Sequence, residues 1–456
     1  MQTYQIEQFD EKMFDDLSNA AKKSSYVNPE LYSKYQVKRG LRDLDGRGVL
    51  VGLTEIGEVH SYILDEGEIV QVPGRLIYRG YDIVDLVKGF MKDDRFGFEE
   101  CVYLLLFGHL PNGKALKEFE QLLAGYQKLP EDFARDVILK APSKDIMNTL
   151  ARSVLALYSF DDNADDTSIN NVLKQCLRLT ACFPSLAVYG YQALSHYHGN
   201  QSLYIHSPRP ELSTAENILS MLRPDSKYSK LEARLLDLAL VLHAEHGGGN
   251  NSTFVTHVVT STGTDTYSAM SAAIGALKGP RHGGANIKVV QMFEDIKEQL
   301  KDWNDDEEIE NYLSRILTKD AFDRSGLIYG IGHAVYSISD PRAVILKDYV
   351  AQLAREKGLE DEFKLYAAVE RLAPQVISQS NKMYKGVSAN IDFFSGFVYR
   401  MLNIPVEMFT PMFAIARIAG WSAHRIEEIV NAGKIIRPAY KSVAPRQTYI
   451  NLTERT

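Results

Sequence analysis

The sequence predicts a mostly α-helical protein with a small β element near its N-terminus. Two observations carry that expectation. Beyond Asp82, apolar residues recur at helical spacing in one segment after another. Only between about residues 47 and 78 do short β-type runs appear, punctuated by glycine and proline. No internal repeat or low-complexity tract competes with this reading.

Residues 1–39 are charge-rich and weakly patterned, which predicts short surface helices leading into the fold. The runs "GVLVGLT", "GEVHSYI", "GEIVQV" and "GRLIYRG" predict strands. "FGFEECVYLLLFGHLP" and "DIMNTLARSVLALYSF" predict helices. The clearest helix is "KLEARLLDLALVLHAEH", where Leu231, Leu235, Leu238 and Leu242 share one buried face. Its expected end is Gly247–Gly249, because glycine accepts the left-handed conformations that close helices. "TDTYSAMSAAIGALKGP" is rich in small residues that permit close helix packing, and it stops at Gly279-Pro280. "NIKVVQMFEDIKEQL" and "MFAIARIAGWSAHRIEEIV" supply two further helices. The acidic clusters at 161–166 and 304–310 read as solvated loops or helix starts.

With 456 residues the chain is long enough for more than one packed unit. A composition of 45% hydrophobic and 24% charged residues is that of a soluble globular protein. A net charge of −8 argues against nucleic acid or an anionic membrane as partner. Cys101, Cys176 and Cys182 are odd in number and form no CxxC pair, so neither a disulfide scaffold nor a cysteine-based zinc site is expected. That usage suits a reducing compartment, and the expected location is cytoplasmic. The opening "MQTYQIEQFDEKMFDDL" is acidic and has no apolar core, unlike a secretory signal. No apolar run is long enough to span a bilayer.

Six stretches place unusual polar residues among glycines or small residues: "HAEHGGGN" (243–250), "GPRHGGAN" (279–286), "YGIGHAVYSISDPR" (329–342), "NIDFFSG" (390–396), "IARIAGW" (415–421) and "IIRPAY" (435–440). In the first, His243 and His246 are three apart on an expected helix, which leaves three readings: a metal pair, satisfied helix-end histidines, or a substrate contact. HExxH is absent. A phosphate cradle fails, because the glycines follow the helix and meet its carbonyl end, where the dipole repels anions. In the second, the turn at Pro280 presents His282 either to a cleft or to open solvent. His333 lies in a similar setting, and Gly330 and Gly332 allow close approach of a ligand to the backbone. Arg342 is suited to gripping a carboxylate; Asp340 and Pro341 before it read as a helix cap and first turn. Asp392, flanked by apolar residues, reads as a base of raised pKa, against the rival of a capping or ion-paired aspartate.

Taken together in this order, "HGGGN", "GPRHGGAN", "GIGHAVYSISDPR" and "NIDFFSG" resemble the citrate synthase family, from about residue 40 to 442. A following arginine in a small-residue helix, a late "RP" and the earlier "LIYRGYDI" add to the resemblance. It implies a two-domain, mostly helical fold: a large domain of 1–282 with 401–456, including an N-terminal extension at 1–39, and a small domain of 283–400 that closes over the site. It implies a citrate (Si)-synthase, which condenses acetyl-CoA with oxaloacetate and hydrolyses citryl-CoA. The implied catalytic residues are Asp392 as base, His282 as hydrogen-bond donor to the thioester oxygen and His333 as proton donor to oxaloacetate. His246, Arg342 and Arg417 are the implied oxaloacetate ligands, with Arg437 entering from the second subunit of a homodimer. Leu327, Ile328, Tyr329, Gly330 and Lys385 are the expected CoA contacts. Acetyl-CoA is a cosubstrate; no metal or other cofactor is expected. Two features depart from the family pattern: Ser337 stands where many relatives carry a basic residue, and "YKGVSAN" before Asp392 lacks the common proline. Lys288, Lys347 and Lys385 are candidate replacements for the missing phosphate contact. The alternatives are a 2-methylcitrate synthase using propionyl-CoA, a histidine-based metallohydrolase, and a helical scaffold without activity.

Overall fold

Two helices buried on nearly every side form the centre of the structure. In Lys230–His243 every residue from Glu232 onward is buried, and in Phe409–Val430 every residue through Arg425. A helix apolar all round belongs in a core. The polar exceptions on these two, among them Asp237, His243, Arg417 and His424, are thereby carried into the interior. Phe409–Val430 packs against Ile169–Gly199, Asn251–Thr260, Phe98–Phe107 and Lys230–His243. The small-residue helix Thr266–Lys278 packs against Ile146–Leu157 and Asn251–Thr260, as its composition predicts.

This computed structural model describes residues 11–43, 47–65, 68–332, 335–381, 386–431 and 433–455. The chain divides into one unit ending at Leu53 and another running from Thr54 to Thr456. Within the first, Glu11–Ser24 and Glu30–Lys34 are short helices with no buried residue, matching the expectation for this region. The second opens with an antiparallel sheet in sequential order: β1 (Gly57–Asp65), β2 (Glu68–Tyr78) and β3 (Tyr81–Asp82). Gly57 pairs with Tyr78, and the register shifts between His60 and Tyr62. Thereafter the structure is helical. No helix among the described residues is long and apolar enough to cross a membrane.

Three sequence expectations need correction. "GVLVGLT" (48–54) forms no strand, and Leu50 and Leu53 stand 83% and 90% exposed. Its composition suits a strand, but among the described residues its only bridge joins Gly48 to Arg42, and without a partner strand there its backbone has no ladder to join. The leucine-striped helix ends at His243, short of Gly247. There the buried Tyr78 hydroxyl shares its proton between the Val241 and Glu245 carbonyls at 3.1 and 3.0 Å, and accepts from the Glu245 amide at 3.3 Å. A hydroxyl placed in the i→i−4 ladder ends the helix. His246 therefore leaves the helix, and His243 and His246 do not share a helix face. In the cluster 161–166, Asp161 is an anchor more than a solvated charge: it accepts from Gln175 Nε2 at 2.9 Å and Tyr267 Oη at 2.8 Å.

Candidate active site

Arg417 is completely buried halfway along the helix Phe409–Val430. Its Nε donates to the His243 carbonyl at 2.6 Å, and its guanidinium lies 4.6 Å from the Phe413 ring centroid. Neither Nη1 nor Nη2 has a hydrogen-bond partner among the described residues. Burial lowers its pKa to about 10, while Glu245 acts in the opposite direction. A buried cation with two unused donors costs several kcal/mol in an empty site. An anionic ligand would relieve that cost. His243, behind it, is held neutral by burial near a pKa of about 3 and is tied to the Ala239 carbonyl at 2.8 Å. His246 is 8% exposed in the turn after the helix, its ring edge-on to Tyr336 at 5.6 Å.

Arg342 begins the helix Pro341–Lys357, with Asp340 as N-cap, as the "DPR" pattern predicts. Asp340 does more than cap. It accepts from Arg342 Nε at 3.0 Å and Nη2 at 2.7 Å, and from the Ile391 amide at 3.2 Å. One edge of the arginine fork is thus taken by Asp340, so a ligand carboxylate could meet only the other edge.

Asp392 sits in the first turn of Ile391–Met401, and Asn390 is that helix's cap. The capping reading of Asp392 therefore falls, and it forms no salt bridge among the described residues. Its carboxyl lies deep among protein atoms yet keeps part of its surface open. Burial raises its pKa to about 6, with Arg342 pulling down, Asp340 pushing up and Arg417 pulling down. Asn390 also stitches two motifs together: its amide donates to the Gly330 carbonyl at 2.9 Å and its Nδ2 to the Gly332 carbonyl at 2.8 Å, while its Oδ1 accepts from Asp392 N–H at 3.0 Å. Gly330 has φ +80°, and a Cβ there would lie 2.9 Å from the Phe393 ring. Only glycine lets the loop approach the Asp392 helix this closely.

His282 lies in the turn between Thr266–Lys278 and Ala285–Gln299, half-buried. The turn is held by Thr410, whose hydroxyl donates to the Gly283 carbonyl at 2.9 Å. His282 Nε2 faces Ser252, with Oγ at 3.1 Å and the backbone amide at 3.4 Å. Because that amide only donates, Nε2 accepts and the ring proton sits on Nδ1. Ser252 Oγ is held in turn by Trp421 Nε1 at 3.2 Å and Asn250 Oδ1 at 3.0 Å. Burial, then the nearby Arg417 charge, lower the His282 pKa to about 4, so the ring is neutral at physiological pH.

The Arg342 and Arg417 charges both act on Asp392, and the Arg417 charge acts on His282, so the structure brings these four side chains into one neighbourhood. Arg342 acts on Tyr336, which packs on His246, and so joins His246 to the group. His333 and Lys385 lie outside the described residues. Arg437 is exposed in the extended segment after the last long helix and is not among the charges acting on Asp392, Arg417 or His282. Of the expected CoA contacts, Leu327 is exposed, Ile328 is buried, and the Tyr329 hydroxyl donates to Asp323 at 2.8 Å. Lys288 pairs with Asp323 at 3.2 Å and Lys347 with Glu370.

The sequence reading missed Ser252, Trp421, Tyr78 and Tyr336 as parts of the site. Asn390 carried a signal, since an asparagine two residues before an acid is a cap pattern. Ser252 carried none, because its role arises from a turn 30 residues further along the chain.

Comparison with known proteins agrees with this geometry. Residues 43–439 match the family model described as citrate synthase, C-terminal domain. A citrate synthase of Synechocystis sp. is 34% identical over 384 residues, covering 84% of this chain and 88% of that protein. A 2-methylcitrate synthase of Shewanella oneidensis is 32% identical over 381 residues, 82% of this chain and 90% of that protein. Among solved structures, citrate synthase from Pyrobaculum aerophilum has a TM-score of 0.74 at 29% identity, covering 91% of this chain and 95% of its own. That of Thermoplasma acidophilum, solved as a ternary complex with carboxymethyl coenzyme A and oxaloacetate, has a TM-score of 0.74 at 25% identity, covering 92% and 99%.

Proposed function

The chain belongs to the citrate synthase family, and on that premise we propose that it is a citrate (Si)-synthase, condensing acetyl-CoA with oxaloacetate and hydrolysing citryl-CoA to citrate and CoA. The observation that carries the reading is the pairing of Arg417, buried with two unused donors, with Asp392, a carboxylate of raised pKa within its field. Such a pair suits an anionic substrate and a proton to be removed beside it.

In this reading Asp392 takes a proton from the methyl group of acetyl-CoA. The thioester oxygen gains negative charge as the enol forms, and His282 Nδ1–H donates a hydrogen bond to it. A neutral imidazole is the better donor here, because it stabilises the oxygen without first having to hold an ionised state in a buried pocket. The enol carbon then attacks the ketone carbon of oxaloacetate, and His333 delivers the proton to the ketone oxygen. Water afterwards cleaves the thioester, releasing CoA as the thiol. Each step is a proton transfer, a carbon–carbon bond formation or a hydrolysis, so the chemistry calls for no redox group. Arg417, the free edge of Arg342 and His246 hold the two carboxylates and the ketone of oxaloacetate.

We assign residues 283–400 to a small domain closing on a large one of 1–282 and 401–456. Its rationale is that Asp392 and His282 lie near the two crossings, and closure would exclude water from the enol. Arg437 enters from the second subunit of a homodimer; its exposure in an extended terminal segment supports that role. CoA lies along Leu327–Gly330, with Lys385 toward its phosphates. A reducing, cytoplasmic setting accords with three buried, unpaired cysteines.

The test is CoA thiol release with oxaloacetate and each acyl-CoA in turn. Rapid release with acetyl-CoA is the expected result. A higher kcat/KM with propionyl-CoA would make the protein a 2-methylcitrate synthase, an outcome that the Shewanella relative keeps in view. One methylene is worth only about 1–3 kcal/mol of discrimination. No release with any acyl-CoA would sink the condensing-enzyme reading.

A further inference from the structure

The proposed chemistry leaves unused a cluster between the helices Asn251–Thr260 and Phe409–Val430. His257 comes from the first, and His424, Glu427 and Glu428 come from the second. His257 Nε2 and His424 Nδ1 face each other at 3.0 Å. The remaining ring nitrogens point outward to carboxylates: His257 Nδ1 to Glu428 Oε2 at 2.8 Å, and His424 Nε2 to Glu245 Oε1 at 3.1 Å.

An ionised carboxylate only accepts, so each outward nitrogen must carry the ring proton. The two inward nitrogens then present lone pairs to each other across 3.0 Å. Two lone pairs cannot bond, so the contact needs a positive charge: either a third ring proton, which, against burial, the Glu245 and Glu427 carboxylates favour on His424 by raising its pKa to about 9, or a metal ion in that proton's place. Glu427 Oε2 adds a third donor, 3.7 Å from His424 Nδ1, and it has no hydrogen-bond partner among the described residues. Its other oxygen is fixed by the Glu55 amide at 2.9 Å. The three donor atoms lie within 4.8 Å of one another.

We propose that His257, His424 and Glu427 bind a divalent transition-metal ion of the zinc class, clamping the two helices together. Two imidazole ligands on tetrahedral zinc stand about 3.3 Å apart, given bonds of about 2.0–2.1 Å. The observed 3.0 Å needs to open by only a few tenths of an ångström. A histidine bound to metal through one nitrogen and to a carboxylate through the other is the usual outer-shell arrangement, and here both histidines have it. Two imidazoles with one carboxylate favour zinc over magnesium or calcium, which prefer all-oxygen sites. Three carboxylates, Glu245, Glu427 and Glu428, surround the pair and favour positive charge there, which a divalent ion supplies in place of a ring proton. Glu428, the outer partner of His257, also lines a surface cleft with Thr260, Ser261 and Ile429. Glu245 accepts the Gly247 amide as well, so the clamp would brace the turn that carries His246.

The test does not depend on the enzyme reading. Full-length protein is stripped with chelator, dialysed against Zn2+, freed of excess ion and assayed for metal by elemental analysis. One equivalent retained per chain is expected, with at least tenfold weaker retention in His257→Gln and in Glu427→Gln. Retention unchanged in both variants would place the ion elsewhere and overturn the proposal, as would no retention by the unmodified protein. Co2+ loaded into unmodified protein gives a reading that needs no variant to fold. The strong visible absorption of four-coordinate cobalt is expected, and its absence also overturns the site.

Discussion

At the level of single residues, the site is built from charges the fold holds at a disadvantage until substrate arrives. Burial disfavours the charge of Asp392 and raises its pKa to about 6 in the native protein, against an unfolded value near 3.8. Between those values the native state keeps a proton that the unfolded chain has lost, so stability falls as pH rises through that window and stays lower above it. Asp392→Asn is therefore expected to lower kcat by at least about 100-fold while raising stability at pH 7.5 by about 2 kcal/mol, discounted for its partial opening to the cleft. Denaturant melts of the two proteins at that pH decide the second half; an unchanged midpoint would mean the carboxylate is not strained. For the native enzyme, kcat/KM should fall on the acid side with a midpoint near 6, as Asp392 takes up its proton. A profile flat from pH 5 to 8 would remove Asp392 as the base. Arg417→Met follows the same logic: removing a buried cation with two unused donors should leave stability equal or higher, while the KM for oxaloacetate rises at least tenfold.

At the level of elements, close approach between segments decides which substitutions the site tolerates. Gly420 faces Glu245, and a Cβ built there would overlap Glu245 Oε2 and the Ala244 carbonyl. Gly420→Ala must push the His246 turn away from the central helix, and a loss of about 2 kcal/mol or more, with a raised oxaloacetate KM, is expected. Gly89, in the helix Ile83–Lys92, is the control. Nothing lies within 4 Å of a Cβ there, so Gly89→Ala should stabilise by about 0.5–1 kcal/mol through helix propensity alone. Thermal melts of both variants test the pair, and equal effects would refute the packing argument. Helices such as Phe98–Phe107 and Ile146–Leu157 were legible because their apolar spacing records the face they bury. The early end of the leucine-striped helix was not, because Tyr78 lies 167 residues before Glu245 in the chain.

At the level of the whole molecule, the proposed entry of Arg437 from a second copy makes a prediction about mixed dimers. If Arg437 acts across subunits, a hybrid dimer of Asp392→Asn and Arg437→Ala chains holds one intact site. Mixing the two inactive homodimers under exchange conditions should then restore activity, up to about half of the native value per hybrid dimer. If Arg437 acts within its own chain, every site in the mixture stays defective and no activity returns.

Periodicity and residue type are local properties, so the helical class, the order of the motifs and the residues with ionisable chemistry were legible in the chain alone. The sequence also pointed to Asp340 as a cap and to Asp392 as a buried acid. The tertiary structure decided which of three histidines in one short stretch faces what. His243 is locked behind Arg417, His246 stands in the turn beside Tyr336, and His257 meets His424 from a helix far along the chain. Those environments depend on residues 90 to 174 positions away, and no local pattern records them. Burial, proton position and pKa follow from such long-range neighbours, so the chemistry of each histidine emerges only once the chain is folded.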